Sequence, residues 1–259
     1  MQKLKLIASD IDGTLLQNGQ TEISPEMFYL IEKMHQEGIL FCAASGRQYS
    51  SLKRLFAPVA DKIAYVCENG AAIFKDDILL AKTPLPQQAA QQLVQDILAQ
   101  PDCEVLISGA NTSYLLPKRT DYVEHIQFFL GNHIAQINTV EEIPEEILKI
   151  SAYCYGGATA CVPALSPQWA SVFNIAVAGA CWLDFTIAHK GAALQQLGAL
   201  LSILPNEMAA FGDNFNDLEM LRYAQHSYAM CSAVPEVCKA AKHTVSRVED
   251  AVSSLLNIF

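Results

Sequence analysis

The sequence is poor in charge. Of its 259 residues, 17% are Asp, Glu, Lys or Arg, and only 17 are Lys or Arg against 27 Asp or Glu. The resulting net charge of −10 argues against nucleic acid or an anionic bilayer as a partner, since both select clustered Lys and Arg. A phosphate ligand would need local positive charge or a metal to offset that field. No apolar run approaches the ~18 residues of a membrane span, although 51% of the chain is hydrophobic. No CxxC pair occurs among the eight cysteines, which are scattered and mostly embedded in apolar stretches. A disulfide framework is therefore not expected, and the sequence predicts buried, reduced thiols. Internal repeats and low-complexity tracts are absent. Met1-Gln2-Lys3-Leu4-Lys5 leads straight into an apolar run without a secretory cleavage pattern, so a cytoplasmic protein is expected, acting as a monomer or small homo-oligomer.

The length suits one large domain or a core carrying a second, smaller one. Leu4 to Ser9 reads as a strand buried on both faces of a parallel sheet, with Asp10 at its carboxyl end. Ser24-Pro25-Glu26 then supplies an N-cap and a proline at the first helical position. Met27, Leu30, Ile31 and Met34 follow at helical spacing, and Gly38 stops the helix. A second strand, Ile39 to Ala44, ends in Ser45-Gly46-Arg47; a helix over Tyr49 to Phe56 and a strand over Ile63 to Cys67 follow. Such βαβαβ alternation builds an open parallel sheet whose ligands bind at the carboxyl ends of its strands.

After Asn69-Gly70 the pattern changes to a hairpin around Lys75-Asp76-Asp77, and Pro84 and Pro86 mark a break. The next hundred residues read as a separate α/β module: helix Gln87 to Gln100, strands Glu104 to Ser108 and Ser113 to Leu116, a helix around Tyr122 to Leu130 and a strand near Ile150 to Tyr155. From Lys190 the alternation resumes with a helix to Leu204, strand Met208 to Phe211, helix Leu218 to Ala224, strand Ser227 to Met230 and two more helices. The sequence thus predicts a core of 1–83 and 186–259 interrupted by an inserted module over 84–185.

Two acidic knots carry the sharpest chemical signal. In Asp10-Ile11-Asp12-Gly13-Thr14-Leu15, carboxylates two residues apart project to one side as a strand ends and can share one cation. One could attack phosphorus while the other shuttles the proton of the leaving group. Gly212-Asp213-Asn214-Phe215-Asn216-Asp217 stands directly behind another apolar strand. Taken alone it reads as a helix cap, but beside the first knot it offers Asp213 to a hard cation such as Mg²⁺. Ser45-Gly46-Arg47 supplies a hydroxyl, backbone N–H groups and a guanidinium for phosphate oxygens. Lys190 can neutralise charge at the nucleophile. His189 is read as an ordinary loop residue. Tyr122, Phe128, Phe129, Trp169 and Trp182 could line a pocket in the inserted module, with core packing the simpler role for most of them.

With these residues in place the chain resembles the haloacid dehalogenase superfamily, in its Cof-type branch with a large type-II cap, over nearly its whole length. The resemblance implies a Rossmann-like parallel-sheet core with an inserted α/β cap. It implies Mg²⁺-dependent hydrolysis of a small phosphorylated metabolite, a sugar phosphate or phosphorylated cofactor, through an aspartyl phosphate. Asp10 matches the nucleophile, Asp12 the acid/base, Ser45 the phosphate-binding hydroxyl, Lys190 the lysine of the third motif and Asp213 the acidic metal ligand, with Asp217 supporting it. Metal binding is assigned to Asp10, Asp12 and Asp213. Gly46, Arg47 and Asn216 fall where relatives meet substrate or cap, and Glu68-Asn69-Gly70 resembles the stretch before the cap. Met230-Cys231-Ser232-Ala233 departs from the Met-Gly-Asn-Ala common in this branch, as Ala251 departs from a late glycine. Two other readings use the same residues: a phosphomutase or phosphotransferase passing the aspartyl phosphate to a hydroxyl, and a receiver-like signalling module that stops at phospho-Asp. Asp12 and the inserted module count against the receiver.

Overall fold

The structure, a computed structural model, describes residues 3–257, the side chains of Phe129 and Leu130 excepted. In chain order the first part comprises β1 (Leu6–Ser9), α1 (Pro25–Gln36), β2 (Leu40–Ala44), α2 (Tyr49–Leu55), β3 (Ile63–Cys67), β4 (Ala72–Lys75) and β5 (Ile78–Lys82). The middle holds α3 (Gln87–Leu98), β6 (Cys103–Ser108), β7 (Ser113–Leu115), α4 (Thr120–Glu124), β8 (Ile134–Gln136), β9 (Lys149–Cys154), α5 (Ala158–Trp169), β10 (Asn174–Ala178) and β11 (Trp182–Thr186). The last part runs α6 (Lys190–Leu201), β12 (Met208–Gly212), α7 (Leu218–Tyr223), β13 (His226–Met230), α8 (Pro235–Ala240), β14 (His243–Val245) and α9 (Val248–Leu255). Two compact units result: one of 1–47, 52–81 and 189–259, the other of 48–51 and 82–188. Among the described residues no helix is long and apolar enough to cross a membrane.

The first unit is built on an eight-stranded sheet of order β14-β13-β12-β1-β2-β3-β4-β5. The pairings β14/β13, β13/β12, β12/β1, β1/β2 and β2/β3 are parallel, and β4 turns back antiparallel to β3. Residues of β1, β3 and β12 are all buried, as strands covered on both faces require. Helix α1 begins where its sequence says it should: the Ser24 hydroxyl accepts from the Met27 N–H at 3.1 Å, and Met27, Leu30, Ile31 and Met34 form its buried face. Burial of each contributes about 1.5–3 kcal/mol. The β4–β5 turn places Asp76 and Asp77 at φ of 53° and 61°, the left-handed pair that a two-residue hairpin demands. Strand order reverses at β1 and β12, so this sheet has its switch point between the two strands that end in acidic knots.

The second unit is a six-stranded sheet, β10-β11-β9-β6-β7-β8, antiparallel except for β7/β8, backed by α3 and α5. Sequence reading missed much of it. Helix α5 carries Pro163 and Pro167 within its twelve residues, which masks its helical pattern. The β10–β11 hairpin was also missed, because β10 is largely exposed and lacks apolar alternation. In the first unit the helix from Lys190 stops at Leu201 instead of Leu204, since Ser202 turns left-handed at φ 56°, and β14 lies between the last two helices.

Tyr122 and Trp169 are core residues, Trp182 is half-buried and Phe128 is exposed; the Phe129 side chain lies outside the described residues. All eight cysteines are free, but they are not all buried. Cys42, Cys67, Cys103 and Cys154 are buried, Cys161, Cys181 and Cys238 are partly exposed, and Cys231 faces solvent on the loop after β13.

Candidate active site

Asp10 follows β1 at the switch point, its N–H donating to the Phe211 carbonyl at 2.9 Å as the last rung toward β12. The chain then turns at once: the N–H groups of Thr14 and Leu16 both return to the Ile11 carbonyl. Gly13 takes φ of +95°, and a Cβ there would collide with the Asp213 carboxylate, so two acidic loops approach closely only because this residue is glycine. Thr14 uses its hydroxyl to donate to Asp213 Oδ1 at 2.8 Å. Thr14 is thus a site residue that sequence reading passed over, although it sits inside the first acidic motif.

Lys190 opens α6 and is fully buried. Its ammonium lies 2.5 Å from Asp10 Oδ1 and 2.7 Å from Asp217 Oδ1. Asp217 Oδ2 accepts from the N–H groups of Asp213 and Asn214 at 3.0 and 3.1 Å, so both of its oxygens are engaged in holding the loop and the lysine. Carboxylate oxygens of Asp10, Asp213 and Asp217 all lie within 4.8 Å of one another. Three buried or half-buried carboxylates therefore face one ammonium, and the surplus negative charge in a poorly hydrated place is costly unless a cation offsets it. Burial, then the Asp217 charge, push the Asp10 carboxyl well above the usual carboxylate range, while Lys190 pulls against them. Asp213 is shifted upward for the same leading reason. For Lys190, burial acts to lower the ammonium's pKa, but attraction to Asp10 and Asp217 outweighs it and holds the group charged, above its ordinary value. A hard cation fits this donor set: Asp10 and Asp213 would hold it through oxygen, and Asp217 is already spent on Lys190 and the loop.

Asp12 stands apart from that group. Its carboxylate is held by Arg47, which donates from Nε at 2.8 Å and Nη2 at 2.5 Å in a bidentate pair open to solvent. Asp12 is not among the carboxylates grouped within 4.8 Å, because the chain turns at Ile11 directly after Asp10 and the two-residue alternation of a strand does not continue. Ser45 lies beyond β2 at the same sheet edge, since Ser9 pairs with Ala43. Its hydroxyl accepts from the Arg47 N–H at 3.2 Å.

The 68–70 turn is strapped to this segment, Glu68 N–H donating to the Arg47 carbonyl and Asn69 N–H to the Ser45 carbonyl. Glu68 and Asn69 hold consecutive left-handed conformations at φ 51° and 57°, a strained pair of the sort found around ligand sites. Asn69 accepts from Asn216 Nδ2 at 3.1 Å and flanks Gly46, so it joins the Ser45 and Asp213 loops. Sequence reading names Asn69 only within the stretch before the cap and gives it no site role, since a lone Asn-Gly reads as a turn. His189 is the N-cap of α6, its Nδ1 accepting from the Ala192 N–H at 3.1 Å, which is a structural duty.

Comparison with known proteins shows the family of the chain. The family model for haloacid dehalogenase-like hydrolases matches residues 7–256. A 5-amino-6-(5-phospho-D-ribitylamino)uracil phosphatase of Escherichia coli (strain K12) is 30% identical over 243 residues, covering 93% of this chain and 90% of that protein. A Bacillus subtilis (strain 168) protein of the same name is 27% identical, with 97% and 96% covered. Among solved structures, one from Eubacterium rectale superposes with a TM-score of 0.86 at 29% identity, covering 99% of both chains. The chain belongs to the haloacid dehalogenase-like hydrolases and is an enzyme of their Cof-type phosphatase branch.

Proposed function

We propose that this phosphatase is Mg²⁺-dependent and hydrolyses a small phosphorylated metabolite through an aspartyl phosphate on Asp10. The observation that carries the reading is the buried Asp10, in contact with Lys190 and grouped with Asp213 and Asp217 at the sheet's switch point. Mg²⁺ held by Asp10 and Asp213 would supply positive charge for the nucleophile and the phosphate oxygens. Lys190 keeps Asp10 oriented and lowers the cost of its approach to a dianionic ester. Asp10 attacks phosphorus in line, forming the Asp10 oxygen–phosphorus bond as the ester oxygen leaves. Asp12, solvent-facing and outside the carboxylate group, gives that oxygen its proton and then takes one from the water that splits the acyl phosphate. Ser45 and the backbone at Gly46 bind phosphate oxygens, and Asn216 orients substrate. Arg47, now paired with Asp12, exchanges that partner for the substrate's phosphate.

The chain leaves the first unit after Ala81 and returns at His189, one residue before Lys190. That topology supports assigning the inserted unit the part of a cap whose closure excludes bulk water. The E. coli and B. subtilis relatives support, as substrate class, a phosphorylated polyol chain attached to a heterocycle.

Phosphate release from a panel of such compounds, with and without Mg²⁺, tests the reading. Mg²⁺-dependent release that vanishes in Asp10→Asn is expected, with the phosphoribitylamino-uracil among the better substrates. An isomerised phosphate ester in place of free phosphate would transfer the site to the mutase reading. Turnover intact in Asp10→Asn would sink both.

A further inference from the structure

The second unit gathers a group of side chains that phosphate chemistry does not use. Cys103 opens β6 and Cys154 ends β9, and the antiparallel register sets them directly opposite one another. Cys161 arrives from α5. The chain leaves β9 at Cys154, turns through Tyr155-Gly156-Gly157 with Gly157 at φ +94°, and donates the Gly157 N–H to the Cys154 carbonyl at 2.9 Å. Helix α5 starts at the next residue, so Cys161, one turn in, comes back over the strand end. The Cys103 sulfur lies 3.1 Å from that of Cys161 and 3.7 Å from that of Cys154.

All three sulfurs fall within 4.8 Å of one another, and among the described residues no His or carboxylate joins them. Cys103 and Cys154 are buried while Cys161 is partly exposed, which gives the group a face toward solvent. Three sulfurs each about 2.3 Å from one ion would stand roughly 3.8–4.0 Å apart, near the 3.7 Å between Cys103 and Cys154, and Cys161 would have to draw back from its 3.1 Å contact with Cys103 to admit it.

We propose that Cys103, Cys154 and Cys161 form a binding site for one soft metal ion, and that the ion is Cu(I). The donor count decides between ions. Thiolate donors suit both Cu(I) and zinc, but structural zinc fills four positions with protein ligands and only three sulfurs meet here, which favours Cu(I). Each ligating thiol releases its proton to solvent as its S–Cu bond forms. The Lys118 ammonium, anchored on the Gln100 and Cys103 carbonyls at 2.6 and 2.7 Å, places a positive charge beside the resulting anionic cluster. The site shares no residue with the Asp10 machinery and does not rest on the phosphatase reading.

The test is a titration of the full-length, reduced protein with Cu(I) under anaerobic conditions, in competition with a chromophoric Cu(I) chelator. Wild type is expected to bind one Cu(I) per chain, and Cys161→Ser to bind it at least about 100-fold more weakly. Cys231→Ser, which removes the exposed thiol elsewhere in the chain, is expected to leave the affinity unchanged. X-ray absorption of the wild-type complex should show three sulfur neighbours, a readout that needs no variant; Cys161→Ala repeats the titration if serine disturbs α5. Equal affinity in wild type and Cys161→Ser, loss of binding in Cys231→Ser, or two sulfur neighbours in place of three would overturn the proposal.

Discussion

Each unit of the molecule buries a lysine against an aspartate, and the two arrangements differ in their balance. In the second unit, Lys149 on β9 lies 3.6 Å from Asp184 on β11, whose carboxylate also accepts from the Ser151 hydroxyl at 2.7 Å. The Lys149 ammonium and the Asp184 carboxylate form an ion pair there. In the first unit, Lys190 meets Asp10 and Asp217, with Asp213 beside them. A buried pair that balances needs nothing more, while a buried group with surplus negative charge is held ready for a cation. Excess charge, more than burial or proximity, separates Lys190, to which we assign a part in catalysis, from Lys149.

The largest effect that sharpens this contrast is on turnover. Asp10→Asn should lower kcat by at least about 10⁴-fold. Because it removes one of the crowded carboxylates, its stability without Mg²⁺ should match or exceed that of wild type by chemical denaturation. Next comes Lys190→Met, which strands Asp10 and Asp217: a loss of about 3–5 kcal/mol is expected. Mg²⁺ should return part of it, because an ion at 100 times its Kd contributes about 2.7 kcal/mol. Failure of Mg²⁺ to stabilise either wild type or this variant would break the comparison.

Lys149→Met should cost about 3 kcal/mol or more through the stranded Asp184. It should leave the Mg²⁺ response and kcat unchanged; a lost Mg²⁺ response would merge the two regions into one class.

The smallest effect belongs to an ion pair at the first unit's rim. Glu207 accepts from the Leu204 N–H at 2.9 Å and pairs with Lys5 at 2.7 Å, and these contacts hold its carboxyl below the ordinary range. A depressed folded-state pKa contributes stability above the unfolded value and loses it as pH falls through the folded one. Glu207→Gln should therefore be less stable than wild type near neutral pH, with the two curves converging in acid. A gap that widens in acid would contradict the assignment.

The first unit was legible because its strands end in short motifs whose meaning is local. A buried run, two acidic residues and a glycine placed Asp10, and the run before Gly212 placed Asp213. Even there the pairing of Asp12 with Arg47 was not legible, since the turn at Ile11 depends on backbone bonds that residue identities do not display. Thr14 and Asn69 acquire their roles only through contacts with Asp213 and Asn216, far along the chain.

The second unit hid more. Helix α5 is disguised by its prolines, and β10 is exposed and unpatterned. The convergence of Cys103, Cys154 and Cys161 depends on the register of β6 against β9 and on the turn at Gly157, neither of which leaves a signature in cysteine spacing.

The most direct test of the central claim is chemical trapping of Asp10 during turnover. Borohydride added within the first turnover, with substrate and Mg²⁺ present, reduces an acyl phosphate to an alcohol, and peptide mapping then locates it. The account requires homoserine at position 10 and at no other acidic residue, its yield dependent on substrate. Reduction at Asp12 or Asp213, or turnover at full rate with position 10 unmodified at every quench time, would contradict it.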